Sequence, residues 1–210
     1  DGYKEVVQHD RFGRFDYGTP PDDTADWAWI QHMLASLKPN GRMGIVLDQG
    51  TLFRGKAEGQ IRRKIVDDDL VECVVALPEK IFYNTGAPGC LIFLNRNKPK
   101  EKKNRVLFIY AAKDFEKLKN MNRLRDADIA KIVQAYQSFQ GVEKYCKIVP
   151  LDRIMENDDN LSVTRYVNVF DEEEPVDISQ VWQELRKLET ERKATDDKLE
   201  GYLKELGYEQ

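Results

Sequence analysis

The chain has 210 residues, with 37 acidic and 33 basic side chains and a net charge of −4. That length suits one large domain, or one domain with an appendage, and is enough to bury a real core. The charge excludes a bulk basic field for nucleic acid, so any such contact rests on a local patch or on other parts of an assembly.

No apolar run reaches the roughly 18 residues of a membrane span, and the opening "DGYKEVVQHD" has no basic-then-apolar signal peptide. The first residue is Asp rather than Met, which predicts a fragment or a processed chain. Cys73, Cys90 and Cys146 lie far apart, so buried thiols in a reducing, cytoplasmic setting are expected. Two histidines without ligand spacing make no metal signature, and His32 reads as a helix-surface residue.

Residues 1–23, with "RFGRFDYGTPPDD", read as irregular and turn-rich. Asp22, Asp23 and Thr24 supply capping and first-turn signals for a helix carrying Trp27, Ile30, Met33, Leu34 and Leu37, ending near Lys38 before Pro39. "GRMGIVL" (41–47) reads as a buried strand. A helix over 56–68 follows from Ala57, Ile61 and Ile65, with Glu58 four residues before Arg62 and with Arg62 and Arg63 in surface ion pairs. Asp67, Asp68 and Asp69 read as its solvated end rather than a metal site. "LVECVVAL" (70–77) is continuously apolar and suits a strand covered on both faces. "GCLIFLNR" (89–96) is the next strand. The first two strands, joined by a helix, are expected to run parallel through a right-handed crossover, and the last two antiparallel.

"NRNKPKEKKNR" (95–105) reads as a solvated basic hairpin tip, with a phosphate contact as the minority reading. "RVLFIYA" (105–111) is expected to be a strand at an edge. Ile129, Ile132, Val133, Tyr136 and Phe139 share a helical face stopped by Gly141. The pattern over 146–170 is mixed, and "DEEEP" (171–175) reads as an acidic linker. Ile178, Val181, Leu185, Leu188, Leu199, Tyr202 and Leu206 then form a heptad seam interrupted at Arg192 and Thr195, as in a long helix seeking a partner helix; packing back on its own domain is the alternative.

No Gly-x-x-x-x-Gly-Lys-Ser/Thr loop, Gly-x-Ser-x-Gly elbow or Cys/His nucleophile pair is present. What does stand out is "LPEKIFYNTGAPGCLIFL" (77–94), where Phe82 and Tyr83 sit together at the mouth of a loop with no local reason for either ring. The ordered set "YGTPPDDTADWAWIQHMLASLKPNGRMGIVL", "QGTLFRG", "IRRKIV", "VECVVALPEKIFYNTGAPGCLIFLNRNK" and "RVLFIYA", continuing through "NLSVTRYV", resembles the modification (M) subunit of type I restriction-modification systems, an adenine-N6 DNA methyltransferase family using S-adenosylmethionine.

The resemblance implies an α/β fold: the C-terminal part of a Rossmann-like S-adenosylmethionine-dependent methyltransferase sheet (1–170), then an acidic linker and a helical tail for subunit assembly (171–210). In the family two parallel late strands flank a reversed third, matching 41–47, 70–77 and 89–96. The family's Gly-containing cofactor loop and Asn-Pro-Pro-Phe motif do not occur here, so no catalytic residue is assigned and the chain alone is expected to be inactive. Two departures stand out. Asp48 in "VLDQG" replaces a usual Pro, at the ligand-binding edge of such sheets, and "NTGAP" replaces Gly-Thr-Gly-Ile.

The implied reaction is in-line attack of the adenine amine on a sulfonium methyl, after the base leaves the duplex. An aromatic face then replaces the lost stacking, roughly 1–3 kcal/mol per base. Phe82, with Tyr83 next, is the candidate; the alternative is that Phe82 is core and Tyr83 plain surface. Arg54 and Lys56 in "LFRGK" are weaker candidates for DNA phosphate contacts. Implied partners are DNA, a specificity subunit and a second modification subunit, with no membrane. The rival readings are a non-catalytic interaction module docking on the specificity subunit, and an unrelated α/β nucleotide-binding domain.

Overall fold

The computed structural model describes residues 2–169 and 177–208 and divides into two compact units, Asp1–Val169 and Phe170–Gln210. The linker expected at 171–175 lies outside the described residues.

The first unit opens with a short helix, α1 (Gly2–Gln8), where irregular chain is expected. Helix α2 (Asp26–Ser36) starts later than its capping signals suggest, and Ala25 precedes it without a side-chain cap. Asp26 is engaged elsewhere, as described below. The remaining elements are β1 (Arg42–Asp48), α3 (Lys56–Asp67), β2 (Val71–Ala76), β3 (Gly89–Asn95), β4 (Arg105–Tyr110), a small hairpin of β5 (Glu116–Lys117) and β6 (Asn122–Arg123), α4 (Asp126–Ser138), β7 (Cys146–Pro150) and α5 (Leu151–Met155).

Five strands form one sheet in the order β1-β3-β2-β4-β7. Strand β3 is antiparallel to both β1 and β2, so β1 and β2 run the same way with the reversed strand between them, as the resemblance implies. Strand β2 is parallel to β4, and β4 is antiparallel to β7. Alternation along each strand feeds two cores. Val74, Ala76, Val106 and Phe108 face α2, α3 and the segment after β7; Cys73, Val75, Leu107 and Ile109 face α4. All six residues of β2 are buried, as a strand covered on both faces requires.

Several expectations are corrected. Strand β1 is not buried: it lies at the sheet edge, paired on one side only, and exposes Gly44, Val46 and Asp48. Strand β4 is interior rather than at an edge, because β7 covers its far side. On α4 the buried stripe is Asp128, Ile132 and Ala135, leaving Ile129 and Val133 exposed. Phe139, with φ +46°, supplies the left-handed cap expected at Gly141.

The basic segment 95–105 is mostly exposed, as expected, but it is not a hairpin tip, since β2 lies between β3 and β4, and two of its lysines are not solvated. Lys98 is buried, donating to Asp69 Oδ1 (2.5 Å), and Lys102 donates to the buried Glu72 Oε1 (2.8 Å). Asp69 is correspondingly a partner rather than a free helix end, and it also accepts from the Asn104 backbone N–H. Arg62 is buried rather than in a surface ion pair with Glu58. Its Nε donates to the Asp159 carbonyl and its Nη1 to the Arg54 carbonyl (both 2.7 Å). Arg63 pairs with Asp159 (2.7 Å). His32 is exposed, edge-on to Trp29.

In the second unit Asp177 caps α6 (Ile178–Glu205) by accepting from the Ser179 and Gln180 N–H groups. None of its side chains is buried. The interruption at Arg192 forms an i,i+4 ion pair with Asp196 (3.6 Å). No helix among the described residues is long and apolar enough to cross a membrane.

Candidate functional site

The carboxyl ends of β1, β2 and β4 lie at one edge of the sheet, because these three strands share a direction. In open α/β sheets that edge is where ligands bind. A cavity of about 380 Å³ opens there, lined by Ala76 ending β2 and Leu77 after it, Tyr110 ending β4, Leu52 and Phe53 after β1, Glu79, Pro88 and residues 162–164. Its walls are tied together by hydrogen bonds to backbone carbonyls: Leu161 N–H donates to the Leu52 carbonyl (2.9 Å), and the Trp27 indole Nε1 donates to the Thr51 carbonyl (3.2 Å).

Asp48 organises the turn that leaves β1. Its Oδ1 accepts from Gly50 N–H (2.6 Å), capping a 3-10 turn over Gln49–Leu52, and both its oxygens accept from Arg54 Nη2 (2.9 and 2.8 Å). Arg54 Nη1 donates to Asp26 Oδ2 (2.6 Å), which also accepts from the Thr51 hydroxyl (3.0 Å). The Asp48 bonds, and then Asp26, raise the Arg54 pKa above its ordinary value although burial opposes them. Glu58 lies beneath, its pKa raised by burial. Asp48 thus has a local structural role. Replacing Asp48 with Ala removes a cap of about 0.5–2 kcal/mol; the half-exposed ion pair adds little. The expected result is a melting temperature lower by about 2–4 °C for each kcal/mol lost; an unchanged melt overturns this role.

The sequence candidates fall into three places. Arg54 has both terminal nitrogens of its fork occupied, whereas Lys56 is exposed with no ion pair among the described residues. Phe82 is half-buried against the core on the α4 side, and its ring lies over Gly89: a Cβ there would sit 2.6 Å from Phe82 Cε2. Tyr83, at 86% exposure, projects from the loop. Neither ring lines the cavity at the strand ends; Pro88 of the same loop does. The seam residues of α6 belong to the second unit and are exposed, Ile178 at 79% and Leu206 at 72%, with Trp182 beside them.

Phe53, Tyr110 and residues 162–164 escaped the sequence reading. Phe53 carries a signal: an exposed aromatic directly before Arg54. The others are brought in by long-range pairing that no local pattern announces. The three cysteines are buried, burial pushing the Cys90 thiol up to about 12, and no group of metal-ligating side chains occurs among the described residues.

A scan of protein families matches residues 2–175 to the family described as N-6 DNA Methylase. The methylase subunit of the type I restriction enzyme MjaVIII of Methanocaldococcus jannaschii is 44% identical over 98% of this chain, which covers 36% of that protein. That of HindI from Haemophilus influenzae is 40% identical over 93% of the chain and 47% of its own length. The chain therefore spans about a third to a half of the relatives it matches. Among solved structures, a type I restriction-modification methyltransferase subunit from Streptococcus thermophilus superposes with a TM-score of 0.75 at 39% identity, over 80% of this chain and 35% of that one. The EcoKI M protein, at 16% identity and a TM-score of 0.58, shares the fold. By the family match and by these relatives, the chain belongs to the N-6 DNA methylase family, alongside the methylase subunits of type I restriction enzymes.

Proposed function

We propose that residues 1–170 form the C-terminal part of the methylating domain of a type I restriction-modification methyltransferase subunit. The whole protein transfers a methyl group from S-adenosylmethionine to adenine N6 in DNA, in the cytoplasm. The observation that carries this reading is the family match along the sheet, together with a cavity at the carboxyl ends of its parallel strands.

The residues present do not complete a cofactor site. The cavity lining offers one carboxylate, Glu79, and no Gly-rich turn follows a strand. What this chain supplies is a platform for the target base. Phe82 suits that role better than Tyr83, because its ring is already held over Gly89 and loses little freedom when a base stacks on it. Tyr83, largely in solvent, has that freedom still to lose. At the α3 entrance, Lys56 is the candidate phosphate contact, with Arg54 holding the turn that presents it.

Residues 171–210 serve assembly with a specificity subunit and a second modification subunit. The supporting observation is the exposed row of Ile178, Val181, Leu185, Leu188, Leu199, Tyr202 and Leu206 on one capped helix. The same row also favours the second reading, an interaction module without catalysis.

Labelled S-adenosylmethionine separates the two. The complete subunit in its complex is expected to methylate adenine in duplex DNA, and the 210-residue chain alone to transfer nothing. A complex that assembles and never labels DNA leaves the interaction module standing; a chain that labels DNA by itself overturns the inactivity expected here.

A further inference from the structure

A second cavity, of about 340 Å³, opens beside the first, between the start of α3 and the segment 157–165. Phe53 lines both cavities and, at 53% exposure, forms the wall between them. The second cavity is lined by four cations: Lys56, Arg62, Arg63 and Arg165. The carboxylates beside them are Asp158 on the rim and, behind the lining, the buried Asp159 and Glu58; Arg63 takes Asp159.

Arg62 is the unusual group. It is 2% exposed, yet it forms no ion pair with a carboxylate among the described residues. Two of its nitrogens bond backbone carbonyls, and Nη2 has no hydrogen-bond partner among the described residues. That nitrogen lies next to Gly59, another lining residue, where an added Cβ would be 3.8 Å away. Burial pulls the Arg62 pKa down, and the buried carboxylates of Asp159 and Glu58, neither of them paired with it, only partly offset that. Lys56 and Arg165 stand exposed on the rim without ion-pair partners among the described residues. An Arg62 Nη2 unbonded among the described residues, below these two unpaired rim cations, leaves the site open to an anion that approaches from solvent.

We propose that this cavity seats a backbone phosphate of DNA, with Arg62 as its floor, Lys56 and Arg165 as its rim, and Phe53 separating the phosphate from the strand-end cavity. This rests on the methyltransferase reading above and extends it. A strand held by its phosphate at α3 is registered against the carboxyl edge of the sheet, which positions rather than identifies the base. Phosphate capture also explains how an acidic chain meets DNA: the favourable field is confined to one groove.

The test is the salt dependence of DNA binding by the complete enzyme complex, comparing the double variant Lys56→Gln/Arg165→Gln with Lys100→Gln as an exposed control elsewhere. The double variant is expected to bind target and non-target duplexes more weakly by the same factor. Its slope of log affinity against log salt should be shallower by roughly 0.9 for each phosphate no longer neutralised, while Lys100→Gln keeps the slope. Either single variant, on an exposed side chain, carries the same test at smaller amplitude. An unchanged slope in a double variant that still binds overturns the groove alone, as does a loss confined to target-site DNA. An unsubstituted complex that binds no DNA overturns the methyltransferase reading and the groove together.

Discussion

Replacing Phe82 with Ala is expected to lower methyl transfer by the complete enzyme roughly 5- to 150-fold, the rate equivalent of about 1–3 kcal/mol of lost stacking. The loop is where this effect originates. Chain leaving β2 reverses and enters β3 at Gly89, and the Phe82 ring fills the space where a side chain at that position would stand. Glycine at 89 and an aromatic at 82 are thus one device: the missing Cβ lets the ring settle at the end of the sheet. Gly89→Ala places a Cβ 2.6 Å from Phe82 Cε2, so the ring must move, and part of the same loss is expected with the aromatic retained. Tyr83, in solvent, is expected to change turnover by no more than about twofold on replacement by Ala, the range of ordinary surface substitutions. Fluorescence of 2-aminopurine at the target position separates the explanations. Loss of base stacking in Phe82→Ala and Gly89→Ala, with normal binding, supports the platform. Unchanged flipping and turnover with a lowered melting temperature assigns Phe82 to the core.

Much of this fold was legible because it is carried by ordered local patterns. The mostly apolar run of β2, the helix spacing of Ile61 and Ile65, and the loop that returns as β3 specified two parallel strands and an antiparallel third; that the third lies between the other two is what the resemblance implied. What was not legible depends on position in the sheet. Strands β1 and β4 are both short and apolar, and the sequence does not show which acquires a second neighbour; β7, five residues ending in Pro150, supplies it for β4. Charge posed the same difficulty. Lys98 and Lys102 look solvated beside Lys100 and Lys103, but their partners Asp69 and Glu72 lie about thirty residues away. Among the candidates, Phe82 and Lys56 were singled out by residue type, whereas the buried Arg62 looked like half of an i,i+4 surface pair. Only the structure shows that its bonds go to carbonyls.

Lys102→Met is expected to destabilise the first unit by about 3–5 kcal/mol at neutral pH, the usual cost of stranding one member of a buried ion pair. Glu72 sits at the amino end of β2, 1% exposed, where the pairing register slips between Val71 and Cys73. Burial alone raises its pKa. Lys102 Nζ (2.8 Å), Asn95 Nδ2 (2.5 Å) and the Tyr136 hydroxyl (3.0 Å) outweigh that and hold it below 4.5. A carboxylate held low stabilises the fold above its unfolded pKa, near 4.3, and that contribution disappears as pH falls through the folded value. The native chain should therefore keep this contribution at pH 5. Without Lys102, burial prevails and the folded pKa rises above the unfolded one, which reverses the sign: the variant gains stability as pH falls from neutrality. Lys102 Nζ also lies over the rings of Tyr136 and Phe139, at 4.9 and 4.8 Å; methionine keeps a side chain of similar length there and loses only the charge, so the Glu72→Gln comparison separates the ion pair from the cation–π contacts. Urea unfolding at pH 7 and pH 5 should show the gap between Lys102→Met and native chain narrowing at the lower pH, and Glu72→Gln added to Lys102→Met should recover part of it at pH 7. A deficit equal at both pH values, and untouched by the second substitution, would show that Lys102 acts there through packing and not as the counter-charge of Glu72.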